Sequence, residues 1–436
     1  MYRLLILITS LCFGMIQGLS AQDQTIAFTG ATIYPISSEP IQNGVLVIRN
    51  GKIESVGREG SVRIPRNAHV IDVSGKILMP GLVDTHSHIG GGDGGDRSSA
   101  LHPDVRIVDA IDVRSDTFKK ARTGGVTVAN VMPGSGHLLS GQTIYLKLRD
   151  ARTVYDMIIQ DPALHDGFAG GIKMANGTNP LRQPPFPGTR AKSAAMQRNL
   201  FIEAQEYQRR IAEAGNDASK RPPRNLRLEP IVEALEGKRI VHFHTHRHDD
   251  ILTVLRMKRE FGFRVVLHHV TDAWLVADEI AAAGVPSSII VLDTPGGKLE
   301  AINLLYKSGR YLEQAGADVS FHTDDGVTDS RLFFRMAAFA VRDGMSREKA
   351  LEALTLAGAR MLDLQDRVGS LERGKDADFI ILNGDPFSVY THVEQTWIDG
   401  VKVFDRSNPD HLPFATGGHE VYRGDFFDHY STGGME

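Results

Sequence analysis

Cysteine is almost absent from this sequence. The 436 residues contain a single cysteine, Cys12, which lies in an apolar N-terminal segment. Residues 1–21 combine the basic Arg3, an apolar run and small residues just before Gln22, which is the pattern of a cleaved export signal. We therefore expect a secreted or periplasmic protein that retains no thiol and no disulfide after cleavage. Any metal site must then use histidine, aspartate, glutamate or lysine.

Long apolar runs and an excess of one charge are also missing. The N-terminal apolar run is shorter than the ~20 residues of a membrane-spanning helix, so a retained anchor is the less favoured alternative. No later run is apolar for long enough to span a bilayer. The 49 basic and 53 acidic residues give a net charge of -4, which does not indicate a nucleic-acid partner. The length predicts one large domain and a smaller one.

Short β-prone segments are concentrated at both ends of the chain beyond the signal. Asn50-Gly51 and Asp399-Gly400 supply hairpin turns between some of them. We predict one small β-sandwich built from residues 22–79 and 365–407, followed by a tail over 408–436. The predicted strands are residues 25–34, 44–49, 52–56, 378–382 and 395–404.

Strands alternate with helices in the middle of the chain, over residues 80–364. Repeated strand–helix units imply a parallel sheet, and this length suits a closed (β/α)8 TIM barrel. An open doubly wound sheet is the alternative. The predicted strands are residues 82–88, 127–132, 171–174, 239–244, 264–268, 288–292 and 318–322, and the predicted helices include 249–260, 275–283 and 298–315.

One segment interrupts this alternation. Residues 176–238 contain a proline-rich stretch, a charged helical pattern and a second Pro-Pro pair. The segment follows a predicted strand end, where active-site loops of a barrel lie. It is either a lid over the site or a surface elaboration, and the sequence leaves both open.

Histidine is the abundant chemical residue, with 17 copies, and many lie at predicted strand ends. In MPGLVDTHSHIG, residues 79–90, His86 and His88 point to the same side of a strand because side chains alternate. His242, His244 and His246 share a strand face for the same reason. Such groups can bind one metal ion, and the C-terminal strand ends of a barrel meet at one face.

Two further strand ends and one lysine complete the pattern. Of the neighbours His268 and His269, only one is expected to face the barrel interior. The segment His322-Thr-Asp-Asp325 ends the last predicted strand. Lys173 lies within an apolar strand, where a lysine is costly unless it is paired or neutralised. These groups occur in order at successive strand ends, which favours a metal centre over separate polar residues.

These motifs resemble those of the amidohydrolase superfamily. Within it, they are most similar to the imidazolonepropionase-like and prolidase-like metal-dependent hydrolases. The resemblance extends over nearly the whole chain beyond the signal and implies the barrel and β-sandwich described above. The matching segments are residues 44–57, 79–90, 132–142, 172–180, 244–251, 267–272, 322–325 and 368–382.

The resemblance also implies a ligand set for one or two divalent metal ions, of which zinc is the expected one. His86 and His88 would bind the more buried ion. Lys173 would bridge the two ions, and in this family that lysine is often carboxylated. His244 and His269 would bind the second ion. Asp324 would bind metal and move a proton during catalysis.

Two positions depart from the family pattern. His246 lies on the same strand face as His244 and is an alternative ligand. His268 stands where relatives often have glutamate, which leaves the partner of His269 open. Without carboxylation of Lys173, one ion is expected rather than two.

The sequence therefore predicts an exported metal-dependent hydrolase that cleaves a C–N bond in a peptide or a cyclic amide by means of metal-activated water, with a dipeptidase among the candidates. A deaminase of the same superfamily is the first alternative, but the buried Lys173 argues against it. A non-catalytic binding protein is the second. The oligomeric state stays open, with a homo-oligomer allowed. Candidate substrate-binding residues are His137, His246, Arg247 and Arg190.

Overall fold

A computed structural model describes residues 25–91, 95–291, 298–304, 306–418 and 421. The predicted export signal and most of the predicted tail lie outside these residues. Within them, no helix has both the length and the apolar character needed to cross a membrane.

The chain is a mixed α/β protein. Its strands are β1 (Ile26–Ile33), β2 (Ile41–Arg49), β3 (Lys52–Arg58), β4 (His69–Asp72), β5 (Ile77–Pro80), β6 (Leu82–Ser87), β7 (Val126–Val131), β8 (Leu139–Gln142), β9 (Ile144–Lys147), β10 (Ile172–Ala175), β11 (Val241–Thr245), β12 (Val265–His269), β13 (Ser287–Ile289), β14 (Val319–Phe321), β15 (Phe379–Leu382), β16 (Val393–Ile398) and β17 (Val401–Asp405). Its helices are α1 (Asp116–Thr123), α2 (Arg190–Ala214), α3 (Glu229–Leu235), α4 (His248–Phe261), α5 (Ala277–Ala282), α6 (Ser308–Gln314), α7 (Phe333–Arg342), α8 (Arg347–Ala353), α9 (Leu356–Met361) and α10 (Leu412–Thr416).

Strands from both ends of the chain meet in one sheet. Its order is β17-β16-β15-β5-β1-β2-β3, with β4 paired to β1. The ends join where β5 and β15 pair antiparallel, with Met79 opposite Ile380. Phe28 packs edge-on against Phe379 and Trp397, with ring centroids 5.0 and 5.1 Å away. The β-rich ends thus come together in a single hydrogen-bonded sheet, whereas the sequence predicts a β-sandwich.

The central strands form two further sheets. One has the order β14-β13-β12-β11-β10-β8 and is parallel from β10 to β14, and the other is β6-β7-β9. Thr143 lies between β8 and β9 and donates its backbone N–H to Gly171 O over 2.9 Å. On the other side, the Thr85 and Ser288 hydroxyls are 2.6 Å apart. The two sheets are therefore neighbours on both sides.

Helix α4 begins directly after the histidine-rich end of β11, and its ends follow the local sequence. Asp249 and Asp250 lie in its first turn and Lys258 in its last, which matches the helix dipole. Gly262 ends the helix with φ +78°, a left-handed conformation that glycine adopts without steric cost. The predicted helix over 249–260 is confirmed.

The segment over 176–238 contains a packed helix. Phe201 of α2 stacks on Phe261 and Phe263, with centroids 5.0 and 4.8 Å away. The buried Gln197 amide donates to Leu138 O at 3.0 Å and Ala175 O at 2.8 Å. Helix α2 therefore covers the ends of two strands as part of the core.

The predicted helix over 298–315 is wrong for its first half. Leu299–Ala301 form a single 3-10 turn, and α6 covers only the end of the predicted range. Lys298 and Glu300 turn inwards, where they bond to Asn179 Oδ1 and to the backbone N–H of Thr178. Leu299 between them points outwards and is 82% exposed. These two inward bonds hold the segment in an irregular path.

A buried ion-pair network joins the central strands to the terminal sheet. Lys147 of β9 is fully buried, and its Nζ is 2.6 Å from an Asp376 oxygen and 3.1 Å from an Asp378 oxygen. It also donates to Asp399. Burial opposes the charge of Lys147, but the three carboxylates outweigh it and hold its pKa above the usual value. One ammonium group thus compensates several buried acids.

We expect Lys147→Met to destabilise the fold strongly because, among the described residues, it leaves the buried Asp378 carboxylate without a counter-ion, whereas Asp376 keeps Arg367 and Asp399 keeps Arg149. The loss should be about 3–5 kcal/mol in the free energy of unfolding, measured by urea titration. Lys402→Met is the matched control, since Lys402 pairs with Asp405 in a more exposed position and its loss should cost at most about 1 kcal/mol. An equal loss of unfolding free energy in the two variants would contradict a special stabilising role for the buried Lys147.

Candidate metal centre

Strand register brings the histidines to one edge of the central sheet. Between β11 and β12, His244 lies opposite His268, and Thr245 lies opposite His269. Between β10 and β11, Ala175 lies opposite His244. Because these strands are parallel and in register, their C-terminal ends meet at the same edge. The separate strand-end histidines of the sequence therefore become neighbours in space.

His269 lies at the centre of the resulting group of rings. Its centroid is 4.4 Å from that of His244 and 4.7 Å from that of His322. The centroid of His86 is 5.0 Å from those of both His268 and His269. The imidazoles in contact with one another are His86, His88, His242, His244, His246, His268, His269 and His322.

Both neighbours His268 and His269 face this group, so the expectation that only one would do so is wrong. The reason lies in the backbone, since His269 has φ +70° and Val270 has φ +39°. These left-handed conformations end the side-chain alternation of β12. His268 then bonds to His242, with Nε2 and Nδ1 3.0 Å apart.

His86, His88 and Asp324 form the first group of candidate ligands. Asp324 Oδ1 is 2.9 Å from His88 Nε2 and 3.3 Å from His86 Nε2. His88 Nδ1 is 2.7 Å from Met132 O, which can only accept, so Nδ1 carries a proton. In the neutral ring, Nε2 then presents a lone pair to a carboxylate oxygen. A cation between the two atoms resolves this, and the donor set fits a divalent metal ion.

Asp324 is ionised in this setting. Burial alone would raise the pKa of its carboxyl group, but its surroundings, chiefly His88 with His322 and Lys173, outweigh burial and hold that pKa well below its usual value. Its backbone N–H donates to His86 O over 2.9 Å, which ties the end of β14 to β6. The carboxylate is therefore both charged and fixed.

His244, His246 and His269 form a second group. Both ring nitrogens of His244, and Nε2 of His246 and of His269, are buried without a hydrogen-bond partner in the described part of the chain. A buried polar atom left unpaired costs about 1–3 kcal/mol. Burial holds the pKa of each ring well below its usual value, so the rings are neutral and keep a lone pair. The group fits a second divalent ion, and His244 and His246 are both present in it.

Lys173 lies between elements of the first group. Its Nζ is 2.9 Å from His86 Nε2 and 3.1 Å from Met132 Sδ. The side chain is fully buried, and burial lowers the pKa of the amine to about 7, although Asp324 partly opposes this. A substantial share of the amine is therefore uncharged near neutral pH. That is the form that carboxylation requires, as the family resemblance implies for this lysine.

His86, His269 and His322 form a third group of candidate ligands. His322 bonds to Ser288 Oγ through Nδ1 at 2.8 Å.

Two polar residues near this centre, Asp84 and Lys298, were not identified from the sequence. Asp84 of β6 accepts from the backbone N–H of Thr323 at 3.0 Å, and burial raises the pKa of its carboxyl group to about 7. Asp84 shares a strand face with His86 and His88, so alternation alone could have indicated it. Lys298 has no such sequence signal.

The candidate substrate-binding residues are divided. His246 belongs to the second ligand group. The His137 ring lies 5.5 Å from His102, in none of the three candidate ligand groups, and burial lowers its pKa to about 4. Arg190 is paired with Asp250 at 2.8 Å, and Arg247 with Asp249 at 2.9 Å. Both guanidinium groups therefore already bind the chain's own carboxylates.

Known proteins are similar to this chain in sequence, and one of them also in its solved structure. A family profile described as the amidohydrolase family matches residues 166–404. The crystal structure of an amidohydrolase from Thermotoga maritima is 34% identical, with a TM-score of 0.81 over 87% of this chain and 100% of that one. The amidohydrolase tasK of Hapsidospora irregularis is 26% identical over 87% of this chain, which spans 42% of that protein. An imidazolonepropionase from Alkaliphilus metalliredigens is 24% identical, over 84% of this chain and 91% of that one.

We expect close to two divalent metal ions per chain in the purified protein, measured by plasma mass spectrometry, and fewer in Lys173→Ala. The lysine contacts His86, and its loss should weaken the first group and any bridge between the groups. His102→Ala is the matched control, since His102 is a buried imidazole outside the three candidate ligand groups. One ion in both wild type and Lys173→Ala would make the lysine purely structural.

Proposed function

Because this chain belongs to the amidohydrolase family of hydrolases, which act on carbon–nitrogen bonds, we propose that it is a metal-dependent hydrolase of a short peptide or another small amide. The observation that carries the proposal is the fixed, ionised Asp324 beside His86 and His88, with the buried Lys173 next to them. This arrangement offers a base, metal ligands and a lysine at one strand edge. The buried Lys173 argues against the deaminase alternative.

We assign the residues of the centre as follows. His86, His88 and Asp324 would hold one ion, and His244, His246 and His269 would supply ligands for a second. Zinc is the metal we propose, since neutral imidazole and carboxylate are ligands that it commonly takes. A divalent ion in this centre supplies Lewis acidity towards an amide carbonyl and towards water.

Asp324 acts as the proton carrier in this proposal. Its carboxylate is ionised and so has a free oxygen lone pair that can accept a proton from the attacking water. Collapse of the tetrahedral adduct breaks the C–N bond, and the same proton passes to the leaving nitrogen. Asp84 supports this role indirectly, because it holds Thr323, the residue before Asp324, through the backbone N–H.

We also propose that the two central sheets belong to one closed (β/α)8 barrel, with the terminal sheet as a second, sandwich-like domain. The contacts at Thr143 and between Thr85 and Ser288 on the two sides support closure. The active face is then the C-terminal end of the strands, where the histidines lie. The α2 segment would be one wall of the barrel.

The substrate and location are proposed on other grounds. The imidazolonepropionase among the relatives supports a cyclic amide, and the prolidase-like resemblance supports a dipeptide. The N-terminal signal pattern supports an exported enzyme that acts on small molecules or short peptides outside the cytoplasm. Assembly into a homo-oligomer is compatible with this role.

We expect Asp324→Asn to lower kcat about 10²–10⁴-fold on any active member of a dipeptide and lactam panel, because the amide cannot accept the proton. Metal content should be measured in parallel to separate proton transfer from metal loss. Asp249→Asn is the matched control, because Asp249 is a half-exposed acid that pairs with Arg247 and lies outside the candidate ligand groups. Full activity of Asp324→Asn with metal still bound would overturn this role.

A further inference from the structure

Lys298 is a cation beside the metal centre that no step above uses. Its Nζ donates to Asn179 Oδ1 over 2.7 Å, and within the described ranges this is its only hydrogen bond. An ammonium group has three donors, so this bond uses one of them. The side chain is 35% exposed, which leaves Nζ open to a small solute.

The loop that Lys298 contacts adjoins the second ligand group. Asn179, which accepts from Lys298 Nζ, follows Asn176 on the loop after β10, and the backbone N–H of Asn176 donates to His244 O over 3.2 Å. Lys298 is therefore held against the loop that is bonded to the strand end with His244.

The carboxylate that lies within 4.0 Å of Lys298 Nζ among the described residues, that of Glu300, does not neutralise the ammonium group at hydrogen-bond distance. Glu300 lies 3.9 Å from Nζ, and its other oxygen accepts from the backbone N–H of Thr178 at 2.7 Å and from Arg190 at 3.4 Å. Burial lowers the pKa of Lys298, and Glu300 and Asp324 offset this only in part. A further carboxylate bonded to Nζ would stabilise the charged form of Lys298 against the remaining effect of burial.

The segment that carries Lys298 is held in place across two loops. Lys298 connects it to Asn179 after β10, and Asn303 donates to Asp272 Oδ1 after β12 over 3.1 Å. Leu299 and Ile302 point to solvent, so the inward positions belong to Lys298 and Glu300. A cation fixed in this way can orient a ligand and not merely attract it.

We propose that Lys298 binds a carboxylate of the substrate, so that the enzyme selects amides that carry a free carboxylate close to the scissile bond. The inference rests on the proposed hydrolase function and narrows its substrate class. Arg190 and Arg247, the two cations that the sequence analysis considered for this role, are already paired with the chain's own acids. Among the described residues, Lys298 has no carboxylate partner at hydrogen-bond distance.

The test compares acids with their matched neutral amides. The metal-loaded full protein is titrated by calorimetry with N-acetyl-L-alanine, N-acetyl-L-proline and the carboxamides of both. Dipeptides and dipeptide amides are compared by steady-state kinetics. Wild type should bind the acids at least about tenfold more tightly than the amides. Lys298→Met should remove that preference, and Lys298→Arg should keep part of it.

The kinetic signature is a rise in KM for dipeptide acids of about tenfold or more, with kcat within about twofold and little change for dipeptide amides. Lys307→Met is the matched control, because Lys307 is a nearby cation whose Nζ lies over the Trp274 ring, 3.3 Å from its centroid. It should leave acid preference intact, which rules out a general effect of lost positive charge.

The two levels of the proposal fail separately. Acid preference in calorimetry without turnover of any amide would refute the hydrolase function and leave carboxylate binding at Lys298 intact. Turnover with equal affinity for acids and amides, or an acid preference that Lys298→Met retains, would overturn the role of Lys298 and leave the hydrolase function standing.

Discussion

The centre rests on the burial of imidazole rings against one another. Burial disfavours the charged form of an imidazole, so a buried ring stays neutral. Each neutral ring has one N–H donor, which needs an acceptor, and one acceptor nitrogen, which needs a donor or a metal ion. Some rings have such partners in the protein: His88 bonds to Met132 O, His246 to the Thr271 hydroxyl and His322 to the Ser288 hydroxyl. His244 and His269 keep buried ring nitrogens that have no hydrogen-bond partner in the described part of the chain. A metal ion would satisfy ring nitrogens that have no hydrogen-bond partner among the described residues.

Much of the strand pattern could be predicted because it depends on local signals. The strand at 82–88 and the strand at 239–244 both appear, displaced by one or two residues. The segment after Lys298 could not be predicted, because its path is set by bonds to Asn179 and Thr178, more than a hundred residues away. Helical periodicity in the sequence contains no trace of such tertiary bonds.

The residues of the candidate site also divide into those set by local signals and those set by tertiary structure. His86, His88 and His244 could be identified because alternation on a strand fixes the direction of their side chains. Alternation could not indicate that His268 and His269 both face the site, because the left-handed backbone at the end of β12 breaks that alternation. Arg190 offered the right chemistry in the sequence, but the fold gives it Asp250 as a partner. Charge alone in a sequence does not reveal which acid will already occupy a guanidinium group.

The pairing of β5 with β15 has a consequence for the order in which the molecule can form. These strands are separated by the whole of the central region, so β5 leaves the ribosome long before β15 exists. The β1–β2–β3 hairpins can form early, because their contacts are local. The free edge of β5 must then wait, exposed to other strands, until almost the entire chain has been made. The terminal sheet is thus completed late, when β15, β16 and β17 add to the edge that β5 presents.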